Sequence, residues 1–576
     1  MQRFSYVILC AFFLTTMHTA LAQNNVGVGT NSPDISAALD VSSTDKGLLP
    51  PRLSTAQRNA MPNKTAGLLI YNTSVSCLEM YNGSAWINLC TGGPSSIVTK
   101  SLLGGNQEDR GYSVQQLADG GFIIGATTSS SANGDVTPGN HGGYDCWVIR
   151  LDASANILWN RVLGGVGDEQ LAELRPTADG GFVFCASSTS SANGDVTEAT
   201  KGLTDYWIVK LDASGNIVWN RLLGGDQDDI PTSINENAGG TIVVAGSSES
   251  SGTGNVTETN HGLTDFWIVK LNSTGSTITF NRLLGGNGEE RAFSIKEVTS
   301  DNGYVVAGYS TSSANGNVSG VLNGLSDFWV LKLTSAGTLS WNRLVGGNAE
   351  EYAYSLVTVS DGSLIVGETN STGGGNISGS SNGGSDYLIA KLSTTGTVSW
   401  TSIKGGTDDD IAWSVVQTGT DYVIAGQSLS SASGDVTEAT HGATDSWLIK
   451  INSTGTLLWN KLLGGSGDDV SYDVRPTSDG GFVLTGYTNS SNNGNVFGVN
   501  HGGDDVWLYR CLLYTSDAAD ERSSVDLGGR RIIKKKNNAY EDGVCEMIEE
   551  ILHQSEIGKG DRITHTKKHS DQEQTK

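Results

Sequence analysis

Basic residues, proline, histidine and cysteine are all scarce in this chain. Its 576 residues include 9 Pro, 8 His and 7 Cys, and 36 Lys and Arg stand against 61 Asp and Glu. The resulting formal net charge of −25 argues against nucleic acid and anionic membrane as partners, because both demand a basic face. Beyond Ala22 no apolar run approaches the ~20 residues of a membrane span, so no transmembrane segment is expected. Before Arg510 there is no CxxC pair, HExxH or phosphate-binding glycine loop, which removes the common metal and nucleotide chemistries. What the chain has in abundance is glycine, 76 residues, without a collagen period.

The ends are set aside first. Met1–Ala22 reads as a secretory signal peptide, with Arg3 in the n-region, the apolar run Val7–Leu14 and the small-x-small site Ala20-Leu21-Ala22. After Arg510 the internal pattern stops in mid-unit. Cys511–Lys536 resembles a translated sequencing-library adapter running into an A-rich stretch, so 511–576 is read as a non-native tail. Cys10, Cys511 and Cys545 leave with these ends. Of the remainder, Cys77 and Cys90 flank a hairpin pattern with a four-residue loop at Asn82–Ala85, and a disulfide between them is expected in an exported chain. Cys146 and Cys185 are expected to pack in the core.

The centre is a repeat array. A Gly-Gly doublet begins at Gly104, Gly164, Gly224, Gly285, Gly346, Gly405 and Gly464, every 59–61 residues. Each unit carries four short runs rich in β-branched and aromatic residues. In the second unit these lie near Gln170–Pro176, Phe182–Ala186, Tyr206–Leu211 and Ile217–Leu222, separated by Gly, Asn, Asp and Ser. Four strands per unit, repeated radially, is the signature of a β-propeller. The expected fold is all-β: a seven-bladed propeller over 97–510, with eight or more blades as the alternative. Ile97–Leu103 is expected to supply the fourth strand of the last blade and close the ring. A small β-rich module over 23–90 and a linker over 91–96 precede it.

Two resemblances follow from particular motifs. Asp179-Gly180-Gly181-Phe182, Asp205–Lys210 (DYWIVK) and Gly215–Trp219 (GNIVW) resemble a family of secreted bacterial and archaeal propeller-like repeats, over about 97–510. That family implies export and a surface location, with no settled chemistry. Residues 24–90 resemble the N-terminal segment of exported proteins from type IX-secreting bacteria and short β modules of fibre proteins; related proteins often end in a sorting domain.

Several residues recur in register. An acidic pair follows each doublet: Glu108-Asp109, Asp168-Glu169, Asp228-Asp229, Glu289-Glu290, Glu350-Glu351, Asp409-Asp410 and Asp468-Asp469. Together they are expected to ring the channel on the loop face. Turn capping is the plain reading, and calcium, which takes oxygen ligands, is the metal they could hold; no other cofactor is expected. A strand-entry aspartate recurs at Asp145, Asp205, Asp265, Asp327, Asp386, Asp445 and Asp505, and is expected to bond backbone. Eleven of 13 Trp fall at two repeat positions, expected between blades; Trp413 is outside both. His141, His261, His441 and His501 share one position, whereas a catalytic His should break the register. No catalytic residue is therefore assigned. The sequence points to a secreted or cell-surface, non-enzymatic propeller that recognises extracellular protein or glycan. The alternatives are a propeller enzyme acting on glycans or other polymers, signalled by an off-register acid, and an accessory module of a lost C-terminal catalytic domain.

Overall fold

The computed structural model describes residues 26–28, 39–41, most of 49–94, and 102–511 apart from 238. The signal peptide, the tail beyond Cys511 and the Cys77–Cys90 pairing lie outside the described residues. Contacts divide the chain into two compact units, 1–96 and 97–576.

In the first unit, five strands pair in sequence order: Arg52–Leu53, Leu68–Asn72, Cys77–Tyr81, Trp86–Asn88 and Gly93–Pro94. In the hairpin, Tyr81 lies opposite Trp86. A short helix, Thr55–Asn59, starts with reciprocal bonds between Ser54 and Gln57. Its Arg58 neutralises the buried Glu79 at 2.7 Å.

In the second unit, residues 102–511 form seven four-stranded antiparallel sheets. In the second blade the strands are Glu169–Pro176, Phe182–Ser188, Asp205–Leu211 and Ile217–Leu223. Their second and third strands are buried almost throughout, as near-continuous apolar runs require when both faces of a sheet are covered. First strands of successive blades touch, and the seventh, Asp469–Pro476, touches the first, Asp109–Gln116. The seven sheets therefore close a ring. Leu102–Leu103 completes it by pairing with Val506 and Trp507 of the last blade, which leaves no open edge there.

Tryptophan holds the blades together at both repeat positions. Trp147, Trp207, Trp267, Trp329, Trp447 and Trp507, on third strands, are at most 1% exposed. Trp267 packs in one cluster with Val183, Cys185, Tyr206 and Ile208 of the preceding blade. Fourth-strand rings lie under the next blade's turn: a Cβ on Gly275 would come within 2.7 Å of Trp219, and one on Gly455 within 2.8 Å of Trp400. Glycine is needed there for its positive φ as well. Cys146 and Cys185 are free thiols in this interior.

Candidate functional site at the channel mouth

The two members of each acidic pair part company. Glu108, Asp168, Asp228, Glu289, Glu350, Asp409 and Asp468 are exposed or half-buried at the loops. Asp109, Glu169, Asp229, Glu290, Glu351, Asp410 and Asp469 are fully buried. Each buried acid accepts the N–H of the second doublet glycine, at 2.6–2.7 Å in all seven blades. The strand-entry aspartates are buried too. Their Oδ2 accepts the backbone N–H four residues earlier, as in Asp205 from Lys201 at 2.8 Å and Asp505 from His501 at 3.0 Å. His261, His441 and His501 add an Nδ1 contact of 2.7–2.9 Å to the same oxygen.

The aspartate of one blade and the buried acid of the next converge on the first doublet glycine. A side chain on Gly224 would strike both Asp205 and Asp229, so the doublet is glycine for steric reasons. Oδ1 of every strand-entry aspartate has no hydrogen-bond partner. Burial pushes Asp109, Asp145, Asp229, Asp327 and Asp410 up to about 6 and Asp386 up to about 7. These residues are built into the ring rather than presented on it. Among the described residues no group of three or more His, Cys, Asp or Glu is placed to hold a metal.

The residues presented to the channel are different ones. Every first strand carries a β-bulge at the same point. The bulged residues are Tyr112, Ala172, Thr232, Phe293, Tyr354, Trp413 and Tyr472. Five of the seven are aromatic, and they run on without a break from the fourth blade round to the first. Ring centroids are 5.1 Å apart for Phe293–Tyr354, 4.3 Å for Tyr354–Trp413, 5.5 Å for Trp413–Tyr472 and 5.2 Å for Tyr472–Tyr112. Blades 2 and 3 interrupt the arc with Ala172 and Thr232. Trp413 belongs to this arc. On the loops of blades 2 to 4, Leu203, Leu263 and Leu325 stand 61%, 69% and 66% exposed.

One residue deeper, a ring of short polar side chains accepts N–H groups from the next blade: Ser113 from Leu174, Ser233 from Ile295 and Ser414 from Val474, at 3.0–3.3 Å. Two blades replace the serine with an acid. Glu173 accepts from Ile234 at 2.7 Å and Asp473 from Val114 at 3.1 Å. Glu173 also accepts from Ser233, pairs with Arg175, and meets Lys296 at 3.3 Å and Arg475 at 3.9 Å. These cations come from blades 2, 4 and 7, so they cross the channel and close it. Burial opposes ionisation of Glu173, but Arg175, Lys296 and Arg475 hold its carboxyl well below the usual range. Burial also lowers Lys296 to about 8. Glu173 and Asp473 are off-register acids, the signal expected of an enzyme. Here both carboxylates are occupied by backbone N–H groups and cations.

Above this floor, between blades 1 and 2, lies a cavity of about 140 Å³ lined by Glu108, Arg110, Tyr112, Thr127, Tyr144 and Gln170. Arg110 is clamped by Asp504, with Nε at 2.7 Å and Nη2 at 2.6 Å, and lies 4.8 Å from the Tyr487 ring centroid. Tyr144 donates its hydroxyl to Glu108 at 2.6 Å. Tyr144 and Asp504 occupy one repeat position, which is Thr204, Thr264, Ser326, Ser385 and Thr444 elsewhere. Sequence reasoning missed this pair, although comparing units at that position would have found it.

Residues 27–101 match a family model described as a phage tail like trimerisation region, on the segment that resembles fibre modules. Across 433 residues the chain is 23% identical to the regulatory protein FlaEY of Caulobacter vibrioides, covering 69% of this chain and 43% of that protein. The chain thus spans about two fifths of that relative's length. Among solved structures, the Neurospora crassa Pan2 WD40 domain is 11% identical with a TM-score of 0.37, over 69% of this chain and 88% of that one. Kuenenia stuttgartiensis hydrazine synthase is 12% identical with a TM-score of 0.41, over 72% and 98%. Likeness at this level carries no argument about activity.

Proposed function

We propose that the chain is a secreted or surface-displayed, non-enzymatic recognition protein that binds an extracellular protein or glycan on the loop face of its propeller. The observation that supports this most is the division of labour among residues. The doublets, the strand-entry aspartates and the repeat tryptophans are consumed in building blades, whereas the bulge aromatics, Arg110, Tyr144 and Asp504 gather at the channel mouth. The two off-register acids of the floor are saturated by donors and cations, which favours binding over acid–base chemistry. In this reading the N-terminal unit trimerises the chain, as the family model it resembles is described, and three propellers gain avidity without new contacts.

The full chain is expected to run at three times its monomer mass by light scattering. Immobilised on a sensor, it is expected to bind at least one polymer from a panel of neutral polysaccharides and extracellular proteins, and to release no reducing ends or peptides from it. Turnover of a bound polymer would overturn the non-enzymatic reading, and silence across the panel would overturn recognition.

A further inference from the structure

Resting on that reading, we propose that the cavity between blades 1 and 2 is a subsite for one uncharged sugar ring, taken from a chain end or branch of a glycan. Its charge excludes anions. Arg110 is paired with Asp504 at 2.6 Å and lies 3.8 Å from Glu108, so no free positive charge is left for an anion. The groups that remain suit a polyol. The Gln170 amide both donates and accepts, while Glu108, which already takes the Tyr144 hydroxyl, and the Tyr144 oxygen keep lone pairs to accept a ligand hydroxyl. Tyr112, held by stacking 5.2 Å from Tyr472, adds aromatic surface to the cavity lining.

Size and depth narrow the ligand further. At about 140 Å³ the cavity is smaller than the several hundred Å³ of a drug-sized site, which suits a single ring. The cluster of Glu173, Arg175, Lys296 and Arg475 closes the channel beneath, so a chain cannot thread through and must enter by an end or a branch.

The test is saturation-transfer NMR of the full chain with methyl β-D-glucopyranoside, methyl β-D-galactopyranoside and methyl α-D-mannopyranoside, alongside polymer binding on the sensor. At least one glycoside is expected to show saturation transfer. Gln170→Trp, a filling change at an exposed position, is expected to weaken it at least tenfold with an unchanged melting temperature. No transfer from any glycoside, or transfer that survives Gln170→Trp, would overturn the subsite. Polymer binding that persists in either of those cases would leave recognition standing and move it elsewhere on the loop face. Silence in both assays would end both readings.

Discussion

Trp267→Ala is expected to destabilise the propeller by about 3–5 kcal/mol, the range for a large aromatic removed from a packed core. Trp267 is fully buried. Its ring lies 4.5 Å from that of Tyr206 on the preceding blade, and its Nε1 donates to Asn281 at 2.7 Å. Truncation therefore opens a cavity between two blades and removes a partly buried hydrogen bond together. In a closed ring each blade interface supports its neighbours, so the loss should appear as a shifted midpoint of urea unfolding. Leu458→Ala, on an outer strand and 40% exposed, should change stability little. A loss below about 1 kcal/mol for Trp267→Ala would contradict inter-blade packing as the source of stability.

The second large effect is a dependence on pH. Burial raises Asp109, Asp145, Asp229, Asp327 and Asp410 to about 6 and Asp386 to about 7. A group raised in the fold binds its proton more tightly there than in the unfolded chain. Its contribution is fully present below the ordinary carboxylate range and is lost as pH rises through 6 to 7. A tenfold tighter hold on one proton corresponds to about 1.4 kcal/mol, and six such groups act in one direction. Glu173 works the other way: held low by its cations, it stabilises above the ordinary range and fails as pH falls through it. The melting temperature is therefore expected to fall by at least about 5 °C between pH 4 and pH 8. A calcium-filled ring would reverse the slope, since its ligands must ionise to bind. A melting temperature that is flat or rising from pH 5 to 8 would contradict the buried, metal-free account of these acids.

Much of the fold was legible because the repeat averages out local ambiguity. The doublet spacing and the DGGF and DYWIVK runs located the strands of the second blade to within two residues. Leu102–Leu103 pairs as the closing strand should. The backbone-bonding aspartates were legible for the same reason. The channel was not, because it depends on a bulge. Strand alternation assigns faces by counting in twos, and the extra residue at Ala172 or Trp413 shifts that count by one. Trp413 therefore matched neither repeat position, and nothing local marks it as a channel residue. The acidic pairs misled in a related way: adjacent residues on a strand point apart, so Asp168 faces solvent while Glu169 is buried. Glu173 and Asp473 stand in a serine column at one fixed spacing from the doublets, which unit-by-unit comparison exposes, but that it lies on the channel side follows only from the bulge.

The most direct measurement returns the mouth to its own repeat. Arg110→Ile, Tyr144→Thr and Asp504→Thr together install residues found at the same positions in other blades, as in Ile230 and Thr204. Both members of the Arg110–Asp504 pair leave at once, and Glu108, whose side chain is 46% exposed, keeps its contact with water. Binding of this triple variant to whichever polymer the parent recognises is then measured beside its melting curve. The division between building and binding residues predicts an equal or higher melting temperature and binding weakened at least tenfold. Unchanged binding by a variant that melts like the parent would contradict it.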